Sequence, residues 1–485
     1  MIQRWRLVLL AFGLWMMASG VAWAGRPLIG APPPAPSERF PKSAWDRAQR
    51  AYQFEHPAKR AAAGLPIGNG RLMALWTGAP AEETFSLSVQ GIRQPLAALT
   101  VRQALPVSGV EHYRRGIRLD EGIAYAVFSA GGEWKIREAF VPRKEDVVAI
   151  DYHASQAVPM DLTCSLAPPG GLGRCAVLAP NRLHVQGSVG PDGEAFDVVA
   201  AVFTDGTVEA EGETLRVRGA VNVTIYLAAY ADSARAESCL ARCLEGIAAA
   251  EKRGVWALSR DHALDFRERY SRAYITLGAK PELRPTPEGW IEARERGQFS
   301  PEFLLLTYDF SRYLFLSGNC PGAYWPARAW GLAERDTAQA VPDGAAGWPL
   351  AYHYAQMGLG DEAMRALDDT PQHLTMNLCV NGEAPAQVAE LDGVATALNE
   401  MLLRSESGVV EILPALPLRL AASGSFRLMT ADGLWVTCQW RDGRPLSLEL
   451  TSPQGGTYTV HTPVGYERFT LSADQTQSMF FHWCP

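Results

Sequence analysis

Several features are scarce in this chain, and each scarcity removes a class of function. Cysteine occurs 8 times in 485 residues, too rarely for a disulfide-stapled scaffold. Beyond the N-terminus no segment approaches the run of about 18 apolar residues that a membrane helix needs. The 45 basic residues, few of them lysine, are outnumbered by 52 acidic ones and are scattered, so no basic patch marks a nucleic-acid surface. The glycine-rich stretch GLPIGNGRLMALWTG, residues 64–78, is closed by no Gly-Lys-Ser/Thr and followed by no long helical pattern, which excludes a phosphate loop. Cys239 and Cys243 lie four apart on a helical pattern with no histidine nearby, so buried thiols are expected there and no metal site. Neither a cofactor nor a metal is called for by any motif.

What is present begins with Arg4 and Arg6, an apolar run from Leu7 to Met17, and the small-residue ending Ala22-Trp23-Ala24. That order predicts a signal peptide over 1–24, export to a periplasmic or secreted location, and no membrane attachment once the leader is cut. A proline-rich tether follows over 25–56. From 57 to 231, short β-rich runs alternate with Gly, Pro and Asp turns, the pattern of a β-sandwich. The glycine stretch sits at its start, where Gly68-Asn69-Gly70 reads as a sharp turn before a strand. Cys164 and Cys175 flank a PPGGLG segment, and a disulfide between them is expected in an oxidising compartment. Apolar residues then recur at helical spacing over 232–270, and again in SPEFLLLTYDFSRYLFLSGN, GWPLAYHYAQMGLGDEAMRALDD and GVATALNEMLLRS, with Ser300 as N-cap and Glu302 in the first turn. Alternating strands return over 406–485, turning at Arg441-Asp442-Gly443.

Four stretches in this order resemble glycoside hydrolase family 95, the secreted α-L-fucosidases and their relatives. PAKRAAAGLPIGNGRLMALWTG is similar to that family's opening strand motif, DHALDFRERYSRAYITLG to its linker, YDFSRYLFLSGNCPGAYWPARAWGL to a barrel helix and loop, and LNEMLLRSESGVVEILPALP, Leu398 to Pro417, to its last barrel helix. The resemblance implies a multidomain α+β chain: an N-terminal β-supersandwich, linker helices over 232–270, an (α/α)6-type helical toroid over 271–405, and a small C-terminal β-domain. It also implies inverting hydrolysis, in which one carboxylic acid protonates the leaving oxygen and a second carboxylate orients water.

The departures fall on the chemistry. A full ring of helices needs on the order of 300 residues and about half that is available, so the toroid is expected to be incomplete. The family's text stops near Arg335 and resumes near Gly347-Trp348, and the general acid belongs to the missing part. In Gln387-Val388-Ala389-Glu390-Leu391-Asp392-Gly393 the essential aspartate position is Ala389, and a methyl group neither accepts a proton nor orients water. Near the sugar site the family's Leu-Asn-Glu appears as Leu87-Ser88-Val89, and its tryptophan as Arg93. No catalytic residue is inherited. Glu390 and Asp392 are the candidate substitutes, against a reading as loop acids capping a helix that starts near Val394; Glu334, Asp336, Asp343 and Glu383 are further loop acids. Trp325, Trp330 and Trp348 are read either as a sugar-stacking platform or as core packing. His262 reads as a hydrogen-bonded structural histidine rather than a catalyst. Three functions stay open: a degenerate family member that binds fucosylated or related carbohydrate, an active glycosidase with relocated acid and base, and a structural subunit using an open helical face for a protein partner or a second copy.

Overall fold

The structure, a computed structural model, describes residues 51–59, 63–90, 92, 94–105, 109–154, 158–171, 173–189, 193–232, 236–278, 295–297, 300–318, 347–368, 388–463 and 465–482. The leader, most of the tether, Arg93, Trp325, Trp330, Glu334, Asp336, Asp343 and Glu383 lie outside these residues, as do the side chains of residues 388–392.

Sixteen strands build the N-terminal part. They are β1 (Ala51–Phe54), β2 (Leu65–Gly68), β3 (Leu72–Trp76), β4 (Glu82–Val89), β5 (Ala97–Gln103), β6 (Val110–Arg118), β7 (Ile123–Ala130) and β8 (Glu133–Phe140). There follow β9 (Val148–Ala154), β10 (Met160–Ala167), β11 (Gly173–Ala179), β12 (Arg182–Val189), β13 (Glu194–Thr204), β14 (Thr207–Glu211), β15 (Thr214–Ala220) and β16 (Val223–Asp232). A nine-stranded sheet, β1-β6-β7-β8-β9-β16-β13-β12-β11, faces a seven-stranded one, β14-β15-β10-β5-β4-β3-β2, across a single apolar core. The first strand begins at Ala51, inside the range read as tether.

Burial follows the period-2 geometry of strands. β4 and β5 alternate buried and half-buried residues because only one face meets the core, whereas β7 is buried throughout. The second cover on the nine-stranded sheet comes from helices α1 (Ala236–Arg253) and α2 (Val255–Tyr270). Their residues Cys239, Cys243, Ile247 and Leu258 form a separate cluster with Phe140, Val199, Tyr226 and Ala228 on the sheet's outer face. The expected burial of Cys239 and Cys243 is met. The expected disulfide is not: Cys164 and Cys175 are both free thiols. Cys164 sits on β10 opposite Val101 and Leu215 in one sheet, Cys175 on β11 opposite Val185 in the other, and sequence proximity across a turn does not bring two sheets to bonding distance.

Among the described residues, strand β17 (Tyr274–Leu277) is followed by the helices α3 (Pro301–Gly318), α4 (Trp348–Gln356), α5 (Gly360–Asp368) and α6 (Val388–Leu402). Ser300 caps α3, its Oγ accepting from the Phe303 amide at 3.1 Å, as its position predicts. The helical pattern over GWPLAYHYAQMGLGDEAMRALDD forms two helices, parted after Gln356. The last helix starts at Val388, not near Val394, so Glu390 and Asp392 stand within its first five residues rather than in a loop. None of the described helices is long and apolar enough to cross a membrane.

The C-terminal part holds β18 (Leu403–Glu406), β19 (Val409–Ile412), β20 (Ser423–Met429), β21 (Trp435–Arg441), β22 (Arg444–Ser452), β23 (Gly456–Thr462), β24 (Gly465–Leu471) and β25 (Gln475–Phe480). They form a four-stranded sheet, β18-β19-β23-β24, and a five-stranded one, β17-β20-β21-β22-β25. The latter borrows β17 from before the helices, antiparallel to β20. The Tyr-Ile-Thr-Leu alternation explains the loan, since Ile275 and Leu277 are buried beneath the sheet.

Candidate functional site

The glycine stretch is a brace between the sheets. Gly70 takes φ 92°, turning β2 into β3. The Asn69 side chain closes that turn, accepting from the amides of Arg71 at 3.0 Å and Leu72 at 2.9 Å, while its Nδ2 donates to the Pro142 carbonyl at 3.2 Å and to Asp146 Oδ1 at 3.1 Å. Arg71 pairs with Asp146 at 2.8 Å, donates to the Ala229 carbonyl at 3.0 Å and lies 4.0 Å from the Tyr230 ring centre. Tyr230 returns a hydrogen bond of 3.0 Å to Asp146, and burial pushes its hydroxyl up to about 12. Gly68 serves a different need: a Cβ there would come 2.9 Å from the Ser317 carbonyl at the end of α3. Tyr313 of the same helix donates to the Pro66 carbonyl at 2.7 Å. The stretch thus seats the helices on the sandwich, and its polar groups are committed to that task.

A second polar assembly lies between the sheets. Glu83 is 0% exposed, and its carboxylate accepts from Trp76 Nε1 at 2.7 Å and the Tyr152 hydroxyl at 2.6 Å and pairs with Arg137 at 3.1 Å. Arg137 donates further to the Ala79 carbonyl at 2.9 Å and to Gln103 at 2.6 Å. Both Glu83 oxygens and both terminal nitrogens of Arg137 have partners in the protein, which lets a buried ion pair be tolerated, while Arg137 Nε has none. Leu87 and Val89, in the run that the resemblance places near a sugar, are core residues.

Trp348 is the one described member of the tryptophan trio. It opens α4, half-buried, with its ring against α6: a Cβ on Gly393 would lie 2.0 Å from it. Packing is therefore the role the geometry gives it. One turn along, Tyr352 faces Glu400 of α6. Burial raises the Glu400 carboxyl above the ordinary range, Arg404 opposes that shift and Glu411 adds to it; burial, then Glu400, raises the Tyr352 hydroxyl. Arg404 bonds the Glu411 carboxylate and the Gln356 carbonyl, and Gln356 donates to the Tyr352 hydroxyl at 2.9 Å. Asn399 Oδ1, beside this group in sequence, is buried without a hydrogen-bond partner. No reading of the sequence singled out Glu400. Its one local signal, the four-residue spacing to Arg404, reads as an ordinary helical ion pair.

Three acids of α5 are engaged: Asp361 accepts from the Leu418 amide at 2.8 Å, Asp368 binds Arg419 at 2.7 and 2.9 Å, and Glu362 binds Arg365 at 2.6 Å. His262 of α2 is buried, as expected of a structural histidine, with Nε2 donating to the Gly122 carbonyl at 3.1 Å; burial lowers it to about 4. Among the described residues no group of three or more His, Cys, Asp or Glu is arranged to hold a metal.

Residues 88–235 match the family described as "Glycosyl hydrolase family 65, N-terminal domain". The curated "Probable alpha-fucosidase A" of Aspergillus niger is 25% identical over 264 residues, covering 49% of this chain and 32% of that protein, so the chain spans about a third of the length of the relative it matches. Among solved structures, "Putative kojibiose phosphorylase from human microbiome" aligns over 89% of this chain and 98% of its own at 8% identity, with a TM-score of 0.47. A bacterial glucoamylase complexed with acarbose aligns over 66% of this chain and 53% of its own at 10% identity, with a TM-score of 0.31. The chain is glycoside hydrolase-like; the matching domain is numbered 65 where the motifs resemble 95.

Proposed function

We propose that this protein is an exported, catalytically degenerate relative of the family 95 fucosidases that binds fucosylated or related carbohydrate without cleaving it. In this reading the helices α3 to α6 are the remains of an incomplete (α/α)6-type toroid. The observation that carries it is Ala389, which stands where the resemblance implies the water-orienting aspartate. The commitment of Asp361, Glu362 and Asp368 to structural partners supports it. Loss of general acid and base help removes about 10² to 10⁴ in rate each. The test is calorimetric titration of the purified mature chain with a fucosylated oligosaccharide, together with turnover of an aryl α-L-fucoside. Binding without turnover is expected. Clear turnover abolished by Glu390→Gln or Asp392→Asn overturns the degenerate reading. N-terminal sequencing of the exported protein, expected to begin at Gly25, tests the leader.

A second reading retains catalysis, and Glu400 is what favours it: a carboxyl held above its ordinary range is the property a general acid requires. Turnover lost in Glu400→Gln is its signature. A partner chain or second copy on the helical face is supported by Phe315 at 51% and Met357 at 61% exposure, and light scattering of the mature chain tests it.

A further inference from the structure

The outer face of the four-stranded C-terminal sheet carries a row of side chains that no reading above uses as a whole. Arg404 on β18, Glu411 on β19, His461 on β23 and Tyr466 on β24 are opposite one another in register, so the row crosses every strand of the sheet. Their sequence neighbours Leu403, Val410, Ile412 and Val460 point the other way, into the core. Exposure rises along the row: Arg404 and Glu411 are half-buried, His461 is exposed and Tyr466 is 77% exposed.

At its half-buried end the row runs into α4. Arg404 bonds the Glu411 carboxylate and donates to the Gln356 carbonyl, and Gln356 Nε2 donates to the Tyr352 hydroxyl at 2.9 Å. At its open end the His461 and Tyr466 rings lie 5.6 Å apart, tilted by 44°. Neighbouring strands are about 4.8 Å apart, which makes the row about 14 Å long. The helical turn from Gln356 back to Tyr352 adds about 5 Å.

We propose that this row binds a linear glycan in extended form, its sugar rings stacked on Tyr466 and His461 and its chain running over Glu411 and Arg404 towards Tyr352. A pyranose presents C–H groups on its faces and hydroxyls around its rim. The C–H faces pack on the electron-rich face of an aromatic ring, while the rim hydroxyls donate to a carboxylate and accept from a guanidinium. The row offers these groups in that order. Arg404 and Glu411 balance each other's charge, which leaves no net field to select an ion. In the row beside it Val409 is the one large apolar side chain, too little for the apolar centre of a protein interface. One pyranose unit of an extended chain advances about as far as one strand spacing, so the sheet seats about three to four units. The inference rests on the reading that the protein binds carbohydrate, but neither on fucose nor on a catalytic role for Glu400.

The full mature chain is titrated calorimetrically with cellobiose, cellohexaose, β-1,4-mannohexaose and the coiled maltohexaose. Saturable binding of at least one extended hexaose is expected, at least tenfold tighter than cellobiose and maltohexaose. Tyr466→Ala is expected to weaken that hexaose at least tenfold with an unchanged melting temperature, and Tyr466→Phe to keep the affinity, since the ring face makes the contact. Phe480→Ala removes an aromatic ring of similar exposure, 73%, from the other C-terminal sheet and is expected to change nothing. No saturation by either extended hexaose, equal affinity for cellobiose and hexaose, or hexaose affinity untouched by Tyr466→Ala overturns the proposal. A fucosylated oligosaccharide in the same series separates the two readings. If it binds while the hexaoses do not, and Tyr466→Ala leaves it bound, this proposal fails and the carbohydrate reading stands; if hexaose binding depends on Tyr466 and the fucosylated ligand is ignored, this proposal stands and the fucose reading fails.

Discussion

The sandwich and the helical block bury their residues by different means. In the sandwich, two sheets share a core and tie polar groups across it, as the buried Glu83 does with Arg137 and the Asn69 amide with the half-buried Asp146. In the helical block the buried surface is mainly apolar, its buried hydroxyls at Thr307 and Ser317 bond to their own helix, and the contacts run outward. Phe310 of α3 stacks on Tyr52 of β1 at 4.5 Å, Gly68 admits the end of the same helix, and buried residues continue from the helices into the C-terminal sheets. Cross-tied charges hold the sandwich to one register, because a slip by one residue would strand them. The helices take their position from neighbours, so their order depends on the sandwich rather than the reverse.

Removing a sandwich tie is the sharpest way to break this comparison. Glu83→Ala leaves the Arg137 charge buried with no counter-ion and strips partners from Trp76 Nε1 and the Tyr152 hydroxyl. The expected loss is about 3–5 kcal/mol, read as a lower urea midpoint. Glu83→Leu combined with Arg137→Met is expected to recover most of it. A loss below about 1 kcal/mol in the single variant would show that the cross-tie does not hold the core.

The junction between the two regions responds to pH. His262 of α2 lies between Phe140 of the sandwich and Phe266, with ring centres 5.2 and 5.9 Å away, and burial lowers it from 6.5 to about 4. The fold keeps this ring neutral while the unfolded chain binds a proton, so stability is full above pH 6.5 and falls as pH drops toward 4. The gap corresponds to about 3 kcal/mol at most. His262→Gln, neutral in both states, is expected to lose that part of the pH slope, and urea midpoints at pH 7 and 4.5 measure it. An unchanged slope would remove His262 from the acid response.

Inside the helical block the expected effect is smaller. Gly393→Ala drives a methyl into the Trp348 ring, which must shift, at a cost of about 1–3 kcal/mol. In a Trp348→Leu background the same change is expected to cost less, the non-additivity of residues in contact. Equal costs in both backgrounds would separate Trp348 from α6 and reopen its reading as a sugar platform.

Legibility in the sequence divides along the same line as the structure. Period-2 runs and Gly-Asp turns mark the sandwich because each strand reports its own burial, and the Asp205-Gly206 and Gly212 turns fall between strands as their residues suggest. The cap at Ser300 is local and was readable. What depends on distant residues was not. Strand β17 is four residues whose partner lies about 150 positions on. The Cys164–Cys175 bond fails because spacing does not say which sheet a strand joins. Glu400 acquires its environment from burial and from Glu411 on a later strand, so it has no signature in any short stretch. The helix start near Val394 is set six residues late, and Gly393, a weak helix former, lies within the helix where only a bare Cα fits against the Trp348 ring.

The smallest expected effect tests whether burial, rather than charge, makes the sandwich tie. Glu82 is the neighbour of Glu83 on β4, and successive residues on a strand point to opposite faces. Glu82 also has an arginine partner, Arg102 at 2.9 Å, on the adjacent strand β5, but both side chains are 55% exposed. Water screens that pair and ordering two long side chains offsets its attraction, so Glu82→Ala is expected to change stability by no more than about 0.5 kcal/mol. Measured beside Glu83→Ala in the same urea series, adjacent glutamates of the same strand, each with an arginine, are expected to differ by several kcal/mol. If Glu82→Ala costs as much as Glu83→Ala, the strand's inward face is not what fixes the register, and the cross-tied account of the sandwich fails.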